Sequence, residues 1–211
     1  MKKNVGISYK AFAVILAAVL ILGGTIGGTM AWLIDDTTPV SNVFTDSDIE
    51  IILNETTKDY KMIPGHTIDK DPKVSVAKGS EDCYLFVKID ESANYDTYLA
   101  DYAVTDGWNG ELGNGVYYRI VKTSDETREF PLLKSGKYDS LNDGEFTWKD
   151  NQVLVKPEVT KAQMNAIKDG SVDEPTLTFT AYAVQLYKTN GTEFTAEEAW
   201  AKAKRIENNA N

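Results

Sequence analysis

The 211-residue chain has one cysteine, Cys83, and one histidine, His66. A lone thiol excludes an intrachain disulfide, a CxxC redox pair and a thiolate zinc site. Cys83 stands inside the apolar run Cys83 to Ile89, where a free cysteine is expected to act as a small buried hydrophobe and not as a nucleophile. A lone imidazole cannot supply both histidine ligands of an HExxH zinc helix. Any Ser/His/Asp or Cys/His arrangement would have to recruit His66, which lies in the turn sequence Pro64-Gly65-His66-Thr67. An exposed turn residue is the expectation there. The chain also lacks a GxxxxGK[ST] phosphate loop and a dinucleotide fingerprint. Together these absences predict a protein that is not an enzyme, with no catalytic residue, no resident cofactor and no histidine or cysteine metal site.

Positive charge is scarce as well, with 22 Lys and Arg against 32 Asp and Glu. Three of the basic residues, Lys2, Lys3 and Lys10, stand in the first 31 residues, which carry no acid. Setting them aside leaves 19 against 32, a formal charge of −13. A field of that sign repels phosphates, which argues against nucleic acid and anionic lipid head groups as partners. The acids gather at Asp35-Asp36, Asp46 with Asp48, Asp90-Glu91 and Glu197-Glu198. Oxygen ligands of this kind suit Ca²⁺, but none of these clusters follows the EF-hand loop, and a solvated acidic face is the favoured reading. Paired carboxylates for glycoside hydrolysis are a matter of spatial separation that composition leaves open.

What is present begins with a signal. Lys2, Lys3 and Lys10 form a basic region, Ala11 to Leu22 an unbroken apolar run, and Gly23 to Ala31 (GGTIGGTMA) a small-residue stretch ending before Trp32. That order is what the export machinery reads, and cleavage between Ala31 and Trp32 fits best, with compact Thr29 and Ala31 at the third and first positions before the cut. The alternative is an uncut anchor: Ala11 to Ile34 holds 24 uncharged residues, enough to span a hydrocarbon core of about 30 Å. Gly23 with Gly27 and Gly24 with Gly28 even give the spacing for helix pairing in lipid, although four glycines in six residues weaken a helix. The expected location is therefore secreted or at the cell surface, with membrane anchoring as the alternative.

Beyond the signal, Trp32 to Phe44 has no sustained period and reads as an extended arm. Strand patterns follow at Ile49 to Leu53, Val74 to Val76, Cys83 to Ile89, Val116 to Val121, Phe146 to Trp148, Val153 to Val155 and Thr176 to Tyr187, each alternating or rich in β-branched and aromatic residues. Turn dipeptides punctuate them: Pro64-Gly65, Gly79-Ser80, Asn109-Gly110, Asn114-Gly115, Asp143-Gly144 and Asn190-Gly191. Many short strands so spaced predict an antiparallel β-sandwich or barrel. Two helices interrupt it. Thr160 and Gln163 form a capping box with Val159 and Met164 as a hydrophobic staple and Gly170 as the stop. Thr195 and Glu198 repeat the box, and Ala196, Ala199, Trp200, Ala203 and Ile206 then share one stripe that must dock on something. Trp108, Tyr117, Tyr118 and Trp148 would stack on sugar rings if they shared an exposed face; core packing is the competing role.

Four stretches taken in order carry a family likeness: GGTMAWLIDDTTPVSNVFTDSDIEIIL, KMIPGHTIDKDPKVSV, SEDCYLFVKI, and VLVKPEVTKAQMNAI followed by PTLTFTAYAVQ. On these the chain resembles the TasA and camelysin family of bacterial biofilm-matrix proteins, which are exported through a SipW-type signal peptidase. The resemblance implies a jelly-roll-like β-sandwich with short helical excursions behind an N-terminal signal helix, assembling head to tail into extracellular fibres. Its arm would add as a donor strand to the next subunit, which here points to Trp32, Leu33, Ile34, Val40, Val43 and Phe44. The physics agrees, because an open sandwich leaves unpaired edge groups that a neighbour's strand satisfies, and head-to-tail addition does not close. Pro39 lacks an N–H, so pairing is expected after it. The metallopeptidase activity attached to camelysin is not carried over, since the histidine ligands are missing. The resulting division is a signal peptide (1–31), an arm (32–44), a sandwich (45–190) and a C-terminal amphipathic helix with its tail (191–211). The competing functions are a camelysin-like surface peptidase and a monomeric adhesin.

Overall fold

The computed structural model describes residues 32–34, 43–45, 48–56 and 60–210. The expected signal segment with Ala31, and Val40 of the expected arm, lie outside the described residues. The described residues from Leu33 onward form one compact unit. The first strands are β1 (Trp32–Ile34), β2 (Val43–Thr45), β3 (Ile51–Asn54), β4 (Tyr60–Met62), β5 (Thr67–Asp69), β6 (Lys73–Val76) and β7 (Cys83–Glu91). After a short helix α1 (Tyr95–Tyr98) come β8 (Ala103–Val104), β9 (Val116–Val121), β10 (Glu129–Pro131), β11 (Leu133–Lys134), β12 (Gly136–Ser140), β13 (Gly144–Trp148) and β14 (Gln152–Leu154). Helix α2 (Lys161–Lys168), strand β15 (Leu177–Gln185) and helix α3 (Ala196–Ala210) complete the chain.

The fold is all-β, an antiparallel sandwich with short helices, as the turn-punctuated strands predict. A four-stranded sheet runs β2-β15-β7-β9 and a three-stranded sheet runs β10-β6-β3, with two-stranded pairs β1-β4, β5-β14, β8-β11 and β12-β13 around them. The long strands are the ones richest in β-branched and aromatic residues, β7 (CYLFVKIDE) and β15 (LTFTAYAVQ). They pair antiparallel over nine residues each, from Leu177 opposite Glu91 to Gln185 opposite Cys83.

Period-two alternation gives this sheet two buried faces. On one, Tyr84 and Phe86 of β7 join Tyr182 and Val184 of β15 and Leu186 under Ala199 and Ala203 of α3, with Trp200 and Ile206 packed against them. On the other, Cys83, Leu85, Val87, Phe179, Ala181 and Ala183 are buried, and β15 packs there on β3. The layers are thus α3, the four-stranded sheet and the three-stranded sheet. Tyr84 pins the helix entry by donating its hydroxyl to the Phe194 carbonyl at 2.9 Å.

Both expected helices form through the expected caps. The Thr160 side chain accepts from the Gln163 amide at 3.2 Å, while the Gln163 side chain accepts from the Thr160 amide at 2.8 Å. Val159 and Met164 are both buried, and Gly170 turns the chain out at φ +74°. At α3, Thr195 and Glu198 exchange the same pair of bonds at 3.3 and 2.9 Å. Helix α1 is additional: with no capping side chain and only four residues, it leaves no periodic trace in the sequence.

Phe86 is fully buried between the rings of Tyr84, Tyr118 and Trp200, whose centroids lie 5.8, 6.0 and 5.3 Å away. Phe86→Ala should therefore lower unfolding stability by about 3–5 kcal/mol in urea titrations, against about 1 kcal/mol for Thr160→Ala at the α2 cap.

Candidate functional site

The outer edge of β15 is where an early and a late segment of the described chain meet. Its inner edge is paired along the full strand by β7. Its outer edge receives β2, which pairs in parallel over three residues: Val43 opposite Ala181, Phe44 opposite Tyr182 and Thr45 opposite Ala183. Among the strand pairs with a defined register in the described residues, this is the parallel one. Ala181, Tyr182 and Ala183 are all buried, so the backbone between them cannot turn to water for hydrogen bonds and depends on a strand alongside. No named strand among the described residues flanks the rest of that edge.

The expected arm residues are divided between two places. Val43 and Phe44 lie in β2 on β15, and Thr45 continues the strand one residue past the expected arm. Trp32, Leu33 and Ile34 form β1, whose sheet partner is β4. Both segments therefore pair within their own chain.

The other sequence candidates separate. His66 is exposed, with Nδ1 3.2 Å from the Pro64 carbonyl. Cys83 is fully buried, and burial pushes its thiol up to about 12. Of the acids, Asp90 pairs with Lys88 at 2.8 Å and Glu198 with Lys188 at 2.7 Å. Among the described residues no group of three His, Cys, Asp or Glu side chains could hold a metal ion. Asp82 at the start of β7 accepts from the Thr123 amide at 2.7 Å, which holds its carboxyl below the usual value and ties the far end of β9 to β7.

The four aromatic candidates do not all share one face. Tyr118 packs with Tyr84 and Phe86 under α3, and Trp148 is buried with Ala100 and Leu154. Trp108 instead stands beside Arg119 and Phe130, its centroid 5.4 Å from the guanidinium carbon. Arg119 is the residue that sequence reasoning missed. The available signal was the alternation in Val116-Tyr-Tyr-Arg-Ile-Val121, which puts Arg119 on the face of buried Val116's neighbour Tyr117 and of fully buried Val121.

Comparison with family models, with curated proteins and with solved structures finds no match. No helix among the described residues is long and apolar enough to cross a membrane.

Two measurements follow from this geometry. Native-state hydrogen exchange should find the β15 amides bonded to β7 opening only with global unfolding and those aimed at β2 exchanging orders of magnitude faster; equal protection on both edges would contradict a weakly held β2. A maleimide should leave Cys83 unmodified in the native protein and label it at the rate of unfolding.

Proposed function

We propose that the chain is a secreted bacterial surface or biofilm-matrix structural protein that assembles by passing its N-terminal strand residues to the β15 edge of the next copy. The observation that carries this reading is the three-residue parallel pairing of β2 on a nine-residue strand buried on both faces. A partner that makes the same few bonds from a neighbouring molecule loses nothing in enthalpy, so exchange between copies is governed by concentration and chain geometry. Because donor and acceptor surfaces differ, each copy receives one strand and gives one, and the product is an open head-to-tail filament.

In this reading the N-terminal signal directs export, a SipW-type peptidase cuts between Ala31 and Trp32, and the new terminus releases Trp32 to Phe44 for exchange. The partner is another copy of the same chain, no nucleic acid or metal takes part, and no catalytic step is needed. The resemblance to the TasA and camelysin family supports the same conclusion from the four sequence stretches that carry it.

The test uses the mature chain beginning at Trp32 beside one lacking residues 32–44, each checked by N-terminal sequencing and imaged by electron microscopy. The mature chain should form filaments and the truncated chain should stay a folded monomer; filaments from the truncated chain would sink the proposal. A V43C/A181C pair in a Cys83→Ala background reports where the strand goes. Oxidation should yield a ladder of covalent multimers from filaments and an internally closed monomer from dilute protein. Closed monomer alone from filaments would show that β2 stays at home.

A further inference from the structure

Arg119 is a charged side chain held in place without spending any of its charge. An arginine carries five N–H donors in a planar fork. Among the described residues Arg119 makes no hydrogen bond and no ion pair, and its Nε is sealed from solvent without a partner. What holds it is aromatic. The guanidinium carbon lies 3.7 Å from the Phe130 centroid and 5.4 Å from the Trp108 centroid, and the two rings stand nearly perpendicular, 86° apart at 6.3 Å.

The cage is itself fixed. Trp108 donates Nε1–H to the Pro131 carbonyl at 3.2 Å. Gly107 adopts φ +88°, and a Cβ there would come within 3.3 Å of the Arg119 Nη2, so glycine allows both the turn and the close approach of backbone to the guanidinium. The acid on the same turn, Asp106, is engaged by Lys134 at 2.8 Å. Asp125 attracts the guanidinium, yet forms no ion pair with it, while burial pulls the Arg119 pKa below its usual value. A cation in that state gains more from an incoming anion than a fully hydrated one does.

Aromatic surface continues beside it. Asn109 and Tyr118 exchange backbone bonds at 2.8 and 2.9 Å, which lays residues 108–110 along β9. Tyr117 lies on the Arg119 side of that strand with its ring against Gly110, where a Cβ would meet the ring at 2.9 Å. Trp108 and Tyr117 are both only half-buried, so one strip carries two aromatic side chains and a guanidinium whose terminal nitrogens are free to bond.

We propose that Arg119, Trp108 and Tyr117 form a binding site for a saccharide bearing uronic acid, the sugar carboxylate taken by the Arg119 fork and the pyranose ring lying against the aromatic strip. The fork geometry matches a carboxylate through two parallel charge-assisted bonds. The ring contact is what favours a sugar acid over an acidic peptide, because an acidic side chain gives the fork a carboxylate but offers the aromatic side chains no pyranose face. This site does not depend on assembly through β15.

The test titrates the purified chain with oligogalacturonate, with its methyl-esterified form, with a neutral galacto-oligosaccharide and with polyglutamate, reading calorimetry and tryptophan fluorescence. Oligogalacturonate should saturate, and Arg119→Gln and Arg119→Lys should each weaken it about tenfold or more, the lysine because it keeps the charge and loses the fork. The methyl ester should weaken it similarly in unmodified protein, which decides the matter even where a variant fails to fold. Absence of saturable binding, equal binding by Arg119→Gln, or an unaffected methyl ester overturns the site. Polyglutamate binding as tightly as oligogalacturonate overturns the assignment to a sugar.

Discussion

The antiparallel pairing of β7 with β15 over nine residues each is the constraint around which the other elements are arranged. Both strands are buried on both faces for most of their length, which removes water as a hydrogen-bond partner and makes the backbone ladder obligatory. One face then needs a cover with small residues at the contact, which α3 supplies as Ala199 and Ala203 with Trp200 reaching between Phe86 and Tyr182. The other face needs a second sheet, which β3 begins. β9 satisfies the free edge of β7, with Cys83 to Lys88 opposite Val121 to Val116. The corresponding edge of β15 is left to β2.

The chain manages its surplus of acid in two ways. Exposed carboxylates are spent on amides and ammonium groups at element ends, as Asp82 is on Thr123 and Glu198 on the Thr195 amide and Lys188. Such pairs set geometry more than stability, because solvent screens them. Lys70 and Glu55 form the exception, an ion pair at 2.9 Å with both side chains about nine-tenths buried and the ammonium 5.5 Å from the Phe179 ring. Removing either partner would strand a charge, so the pair fixes how the loop after β3 lies on the sheet.

The long strands and the two larger helices were legible because their signals are local. Alternation in Cys83 to Ile89 and Thr176 to Tyr187 needs no partner to be read, and a capping box at Thr160 or Thr195 is complete within four residues. Four shorter strands, β3, β6, β13 and β14, were read in the same way at Ile49 to Leu53, Val74 to Val76, Phe146 to Trp148 and Val153 to Val155, but β8, β10, β11 and β12 were not. β8 and β11 are two residues each, β12 holds Gly136 and charged residues, and β10 ends on Pro131; they are strands because a neighbour pairs with them, and Pro131 is tolerated on the edge that β10 occupies. The candidate site was half legible. The sequence marks Val43 and Phe44 as extended, but register and direction against Ala181 and Tyr182 are properties of two distant segments together. Arg119 shows the same limit: alternation turns it inward, and nothing local says that Phe130 and Trp108 will receive it.

The parallel pairing of β2 with β15 joins segments from opposite ends of the chain, and a ribosome makes those ends at different times. β2 exists before β7, and β7 before β15, so a strand made early must wait for the last. Loop-closure entropy grows only slowly with the length of the intervening chain, but contacts of such separation form late in folding. Through the whole interval β2 is a strand without an edge to join, and for a moment after β15 docks on β7 there is an edge without a strand. Which molecule's β2 arrives first is then a race between an intramolecular search and the number of other chains nearby, settled by timing before it is settled by stability.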